Sequence, residues 1–429
     1  MSTRLSLLGI TASISLVLFL YGLVHICTHY GIFSGSQQRG FSPLYTGQPS
    51  PVSISQELEQ IAKSQLQPWI GYQMNQSDVK DYAKRKEYLY VVEIKNGTLH
   101  IPEYVDKEFE YNQNVEPLVT VIQQILKEEN NIQDTFLFLN LLDEPRNPNK
   151  VRCQQAGMWN KIEKYHGFPL SLIEESKDMP WFPILSPAKI SDCFEDILVP
   201  FGDLLEPLKL EEMRKTTPTC EKWNTTKRLM TALFRGSPTG HSFKEGRNHR
   251  LALIKACDNE QSRYLRNYLA HSSSMEDLLS LFPEGGPLCD AALTHQVDLN
   301  ISDVSSPIYF LPMKVWEEIT FFVLDIDGNS YSRRLANLCF ADVDIIRLGI
   351  FEDLLLMLLK NGTHYRHVQI DHSDLFSTLI YMRTQLSYSQ QLCRNKFQRC
   401  QQVVNYPNMK YYMQVLLEEY SRQVIFLSS

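Results

Sequence analysis

The sequence predicts an α/β chain in which helices alternate with buried parallel strands, and three stretches carry that reading. Leu118, Val121, Ile122, Ile125 and Leu126 fall at i, i+3, i+4, i+7 and i+8, one face of an amphipathic helix. TFLFLN (135–140) follows as a continuously apolar run, and a helix feeding such a run is the pattern of a helix-covered parallel sheet. Ala232–Phe234 is a second strand end, opening into a turn-rich loop (Arg235–Arg247) and then a helix capped by Asn248. ITFFVL (319–324), the Gly328-Asn329 turn and a helix over Tyr331–Phe340, capped by Ser330, repeat that unit.

At 429 residues the chain can bury one large or two medium cores. Its 43% hydrophobic and 21% charged residues are those of a globular protein. A formal charge of −7 argues against nucleic acid as a partner, which asks for a basic excess. Leu5–Ile26 is uncharged over the ~20 residues that span a bilayer, with Arg4 before it and no Lys or Arg after it until Arg39. The expectation is therefore a cytosolic tail (1–4), a transmembrane signal-anchor (5–26) and a Pro/Gly/Ser/Gln-rich stem (27–55). A cleaved signal peptide, with an apolar region of ~7–15 residues, is the rival. The anchor makes the protein single-pass, type II, in the endoplasmic reticulum or Golgi membrane, with the bulk of the chain lumenal.

Beyond Cys27 lie eight cysteines, an even number available for disulfides. No His/Cys cluster has zinc-ligand spacing, so no structural metal is expected. Sequons stand at Asn75, Asn96, Asn224, Asn300 and Asn361.

Residues 56–210 read as a first lobe. Gln56–Gln65 is a short helix, and Tyr88–Ile94 and Thr98–Ile101 pair as a hairpin through Lys95-Asn96-Gly97. After the 118–126 helix and the 135–140 strand comes Asp143, at the carboxyl end of the strand, where open α/β sheets bind ligands. Asp143-Glu144-Pro145 reads equally as a strand-ending turn. Glu206–Lys215 is charged, helix-prone and suited to a hinge. Residues 211–375 read as a second lobe. There the 232–255 unit offers an anion the free N–H groups of a helix N-terminus, with Arg235 and Arg250 flanking the loop. A surface loop with incidental arginines fits that spacing as well. The tail, 376–429, is mostly helical and is expected to pack across the lobes.

Five segments, in order between Tyr88 and Ser421, resemble glycosyltransferase family 90, the protein O-glucosyltransferase and lipopolysaccharide- or capsule-modifying type. FRGSPTG with NHRLALIK resembles its nucleotide-sugar signature, and N-x-x-D-E-P-R (Asn140, Asp143, Glu144, Pro145, Arg146) the segment bearing its catalytic base. D-I-x-x-P (Asp196, Ile197, Pro200) is similar to the run before its acceptor-side loop. D-G-N-x-x-S-x-R (Asp327, Gly328, Asn329, Ser332, Arg334) resembles its second donor segment, and HYRHVQIDHSDL (364–375) the run that closes its domain. Past Pro200 the chain departs from the family, with FGDLLEPLKLEEM in place of an aromatic- and Gly-rich segment.

The resemblance implies a GT-B-like fold of two facing Rossmann-like lobes. It implies an inverting, metal-independent enzyme with no cofactor, moving glucose or xylose from UDP-glucose or UDP-xylose to a protein Ser/Thr or glycan hydroxyl. Asp143 would be the base. Arg235, Gly236, Ser237, Arg250, Gly328, Asn329, Ser332 and Arg334 would hold the donor. Asp196, Pro200 and Phe201 would lie on the acceptor side, beside Trp181 and Phe182. Arg333 is expected to be a solvated neighbour. The alternatives are a metal-dependent enzyme using Asp325-Ile326-Asp327 as a D-x-D site, and a non-catalytic sugar-binding family member.

Overall fold

The computed structural model describes residues 53–85, 89–104, 115–140, 142–168, 182–216, 220–223, 227–241, 248–271, 274–294 and 311–427. Helix α1 (Ile54–Gln65) starts on a capping box. The Ser53 hydroxyl accepts from the Gln56 N–H, and the Gln56 side chain accepts from the Ser53 N–H. After β1 (Gln73–Asn75), β2 (Leu89–Lys95) turns into β3 (Thr98–His100) through Asn96 and Gly97. Their φ angles of 50° and 72° are the left-handed pair that a two-residue hairpin needs. Helix α2 (Glu116–Glu128) buries the five periodic apolar residues against β4 (Thr135–Asn140), itself buried throughout. β5 (Ile184–Ser186) and β6 (Ile197–Leu198) complete a sheet ordered β3-β2-β4-β5-β6.

That sheet is mixed, which corrects the expected pair of Rossmann-like lobes. β4, β5 and β6 run parallel, while β2 runs antiparallel to both β3 and β4. The cause is local. The tight turn forces β3 antiparallel to β2, and the crossover through α2 then sets β4 on the other side of β2, parallel to β3.

The second sheet is wholly parallel. It comprises β7 (Leu229–Gly236), β8 (Cys289–Leu293), β9 (Thr320–Ile326), β10 (Asp344–Leu348) and β11 (Arg366–Val368), ordered β11-β10-β9-β7-β8. Helix α3 (His249–Cys257) follows β7 and α4 (Leu335–Phe340) follows β9. The chain leaves β7 towards β8 on one side, then returns to build β9 on the other. The carboxyl ends of β7 and β9 therefore flank a topological switch point, the crevice where open α/β sheets bind ligands.

The tail returns across both sheets. Helix α5 (Leu386–Val403) joins the second sheet through the Cys220–Cys393 disulfide, and its buried Lys396 ammonium donates to the carbonyls of Leu338, Ala341 and Val343 at 2.7, 2.8 and 2.7 Å. Those carbonyls end and follow α4, so the cation satisfies acceptors that a helix terminus leaves open. Helix α6 (Tyr406–Gln423) runs back to the first sheet, where the Tyr420 hydroxyl donates to the Phe136 carbonyl at 3.0 Å. β12 (Ile425–Leu427) then pairs with β1. Cys153–Cys193 and Cys257–Cys289 are the other disulfides among the described residues.

The membrane expectations are also corrected. Among the described residues no helix is long and apolar enough to cross a membrane. The expected transmembrane helix, and with it the single-pass type II placement in the endoplasmic reticulum or Golgi membrane, is therefore not supported. Leu5–Ile26 itself, with the 1–4 tail and the stem up to Val52, lies outside the described residues. A further correction concerns the helix expected over Tyr331–Phe340, which begins only at Leu335. The preceding residues are held as a loop: the Ser332 hydroxyl bonds Asp325, and the Asn329 side chain accepts from the Gly240 N–H at 2.9 Å.

Candidate functional site

The carboxyl ends of β7 and β9 carry two arginines side by side. Asn248 caps α3 through the N–H groups of Arg250 and Leu251, which places Arg250 in the first turn, facing β9. Its guanidinium donates to the carbonyls of Asp327 (2.7 Å), Ser237 (2.5 Å) and Ile326 (3.5 Å). Arg334, at the N-cap of α4, donates to the carbonyls of Arg235 (2.6 Å) and Ile326 (3.2 Å). Both guanidinium groups lie over the Phe234 ring, at 5.6 and 4.9 Å from its centre. Gly236 leaves room for them, since a β-carbon there would come within 2.6 Å of the Phe234 ring and 3.0 Å of Arg334 Nη1.

This arrangement leaves the cations poorly neutralised. Burial and the neighbouring Arg334 push the Arg250 guanidinium down to about 9, and burial also lowers Arg334. An arginine stays protonated in a protein, so the pair remains cationic. These hydrogen bonds all end on backbone carbonyls, and the Asp325 carboxylate stands 4.0 Å from Arg334. Arg334 keeps a fifth of its side chain exposed, so this charge is open to a ligand.

Asp325 and Asp327 are fully buried and already engaged. Arg347, on β10, spans both, with Asp325 at 3.0 Å and Asp327 in direct contact. Ser332 takes the other Asp325 oxygen, and the N–H groups of Ile350 and Phe351 donate to Asp327 at 2.7 and 3.2 Å. Burial opposes the charge on Asp327, but Arg347 and His166 outweigh it and hold this carboxyl well below the usual range. Two carboxylates clamped by one arginine do not present a D-x-D pair to a cation. The remaining metal-like group among the described residues is Cys220, Asp342 and Cys393, whose two sulfurs are joined in a disulfide.

The first sheet contributes the loop after β4. Asn140 organises it, donating to the Glu144 carbonyl (2.7 Å) and accepting from the Leu142 N–H (3.0 Å). Asp196 braces it from below, accepting from the N–H groups of Arg146 and Asn147 at 2.8 and 2.7 Å and from the Ser186 hydroxyl at 2.6 Å. Burial raises the Asp196 carboxyl against these bonds. The loop thereby carries Asp143 to Arg333 across the cleft, at 3.1 Å, and Glu144 to within 3.8 Å of His241. His166 stacks on His249 at 3.9 Å, and the His249 ring contacts the Asp327 carbonyl at 2.7 Å. Burial and His166 hold the His249 ring well below its ordinary value, so it stays neutral.

The geometry redistributes the expected site residues. Arg250, Arg334, Gly236, Gly328 and Asn329 come together at the switch point, and Asp143 pairs with Arg333, the residue before Arg334. The Arg235 guanidinium instead turns inward to buried Asp290, at 2.5 Å, which Arg266 also binds, so its charge serves the interior. Ser332 is likewise spent on Asp325, and Ser237 offers its carbonyl to Arg250 while remaining exposed. Asp196, Pro200 and Phe201 are buried, and Asp196 lies beneath the Asp143 loop. Phe182 packs on Phe138 in the core, and Trp181 lies outside the described residues. Arg333 is exposed, as expected, and is also the ion-pair partner of Asp143. Sequence reasoning missed Arg347, His166, His241 and His249. For Arg347 a signal existed: a lone arginine inside the apolar strand DIIRL needs buried carboxylates to pair with.

Comparison with known proteins adds little to this geometry. No family model matches the chain. One relative, "Uncharacterized protein 035R" of Invertebrate iridescent virus 3, is 22% identical over 317 residues. That match covers 70% of this chain and spans 26% of the relative's length.

Proposed function

We propose that the protein transfers a glucosyl or xylosyl unit from UDP-glucose or UDP-xylose to a hydroxyl of a protein or glycan acceptor, with inversion and without a metal. The observation that carries the reading is the Arg250–Arg334 pair: two cations side by side at the switch point of a parallel sheet, hydrogen-bonded to carbonyls. A diphosphate supplies negative charge in a bidentate form that suits guanidinium forks. As UDP departs it gains charge, and cations fixed in advance stabilise the transition state more than the ground state. Asp143, half-buried and paired with Arg333, would accept the acceptor's proton once Arg333 swings aside. The resemblance of the five segments to glycosyltransferase family 90 supports the same roles.

The test is a panel of UDP-sugars offered to the purified chain with peptide and glycan acceptors, read as UDP release and product mass. Turnover of one UDP-hexose or UDP-pentose is expected. Absence of both UDP binding and turnover across the panel overturns the reading.

A further inference from the structure

Helix α5 meets the second sheet along one face. Cys393, Lys396 and Cys400 recur at i, i+3 and i+7, the spacing of a single helical stripe, and all three are fully buried. Cys393 is stapled to Cys220, and Lys396 holds the carbonyls of Leu338, Ala341 and Val343. Cys400, one turn beyond Lys396, reaches Cys339 on α4. Cys400 is the interaction partner of the Cys339 thiol, and neither side chain is exposed. They are the free cysteines among the described residues, in which every other cysteine is paired.

Buried cysteine often serves as a small apolar side chain and stays inert. Here register decides against that reading. The lysine between Cys393 and Cys400 locks α5 against the end of α4, beside Cys339. Side-chain rotation is the motion by which neighbouring thiols reach the ~2 Å of a disulfide. We infer that Cys339 and Cys400 form a fourth disulfide, a covalent staple between α4 and α5 independent of the transfer reaction.

The step is thiol–disulfide exchange with an external disulfide, either a small-molecule one or that of a dithiol oxidoreductase. One cysteine thiolate attacks that disulfide, forming a mixed disulfide and releasing one thiol. The second cysteine thiolate then displaces the other sulfur, so two electrons pass to the external disulfide and both of its sulfurs leave as thiols. Because both positions are buried, exchange precedes the docking of α5. The consequence bears on the donor site: Arg334 is the N-cap of α4, and the staple holds the far end of that short helix to a helix already pinned at Cys393.

The test uses the full chain, produced in an oxidising host, alkylated in denaturant without reductant, digested and analysed by mass spectrometry. The expected product is a linked peptide pair containing Cys339 and Cys400, beside the three bonds already described. Stoichiometric alkylation of both cysteines in material whose other three bonds are intact overturns the inference. Melting temperatures of Cys339→Ala, Cys400→Ala and the double variant give a second measurement. A shared bond makes the oxidised wild type lose its margin over both single variants when reductant is added, whereas an unchanged margin under reductant refutes the bond.

Discussion

Arg334→Ala offers the sharpest test of the donor site, because the side chain is partly open and its charge has no carboxylate closer than 4.0 Å. A charge-assisted contact to a phosphate is worth about 1.5–3 kcal/mol, so the UDP dissociation constant is expected to rise roughly 10- to 150-fold. In the unliganded protein two effects oppose each other. The carbonyls of Arg235 and Ile326 lose their donor, while Arg250 is freed from the repulsion that, after burial, most depresses it. Unliganded stability should therefore move less than affinity. Calorimetric titration with UDP reads the affinity directly, and thermal unfolding reads it independently. At a UDP concentration of about 100 times the wild-type constant, the ligand stabilises the wild type by about 2.7 kcal/mol. A hundredfold weaker site retains only about 0.4 kcal/mol of that at the same concentration. Arg334→Lys keeps the charge and loses the planar fork, so it should fall between the two. A folded Arg334→Ala variant that binds UDP as tightly as the wild type would show that the pair is structural and the donor site lies elsewhere.

Asp143→Asn should lower kcat by ~10²–10⁴ while leaving UDP affinity nearly unchanged, and near-normal turnover would place the base elsewhere. Arg333→Ala should shift stability by no more than about 1 kcal/mol, since the pair with Asp143 is exposed; the kinetic readout is its effect on acceptor KM. Arg347→Ala removes the partner of two buried carboxylates and should cost about 3–5 kcal/mol in denaturant unfolding; a loss under 1 kcal/mol would contradict the clamp. His364 is held at about 4, chiefly by burial, and accepts from the Lys360 N–H. Its folded value lies below its unfolded value of about 6.5, so the unfolded state takes up the proton first. Stability is then lost as pH falls from about 6.5 towards 4, and His364→Gln should flatten that limb of the unfolding curve. Turnover should survive excess EDTA, and loss in EDTA with rescue by Mn²⁺ would revive the D-x-D alternative.

The sequence by itself determined what depends on neighbours along the chain. Amphipathic spacing marked α2, apolar runs marked β4 and β9, Asn96-Gly97 fixed the hairpin, and Asn248 capped α3, because capping and turn geometry involve residues only a few positions apart. Those local signals, with the resemblance, brought Arg250, Arg334, Gly236 and Asp143 to attention. Tertiary structure decided the rest. The direction of β2 against β4, and hence the mixed first sheet, follows from how α2 crosses over, which no local pattern encodes. Whether an arginine serves a ligand or the interior depends on carboxylates far away in sequence: Asp290 claims Arg235, and Asp325 and Asp327 claim Arg347, while Arg250 and Arg334 are left with carbonyls. The helix expected at Tyr331 was lost for the same reason, since Asp325 and Gly240 draw Ser332 and Asn329 into a loop. Side-chain identity was legible from the sequence, but its use was set by partners that only folding brings within reach, because buried charge is stable only where an opposite charge or dipole meets it.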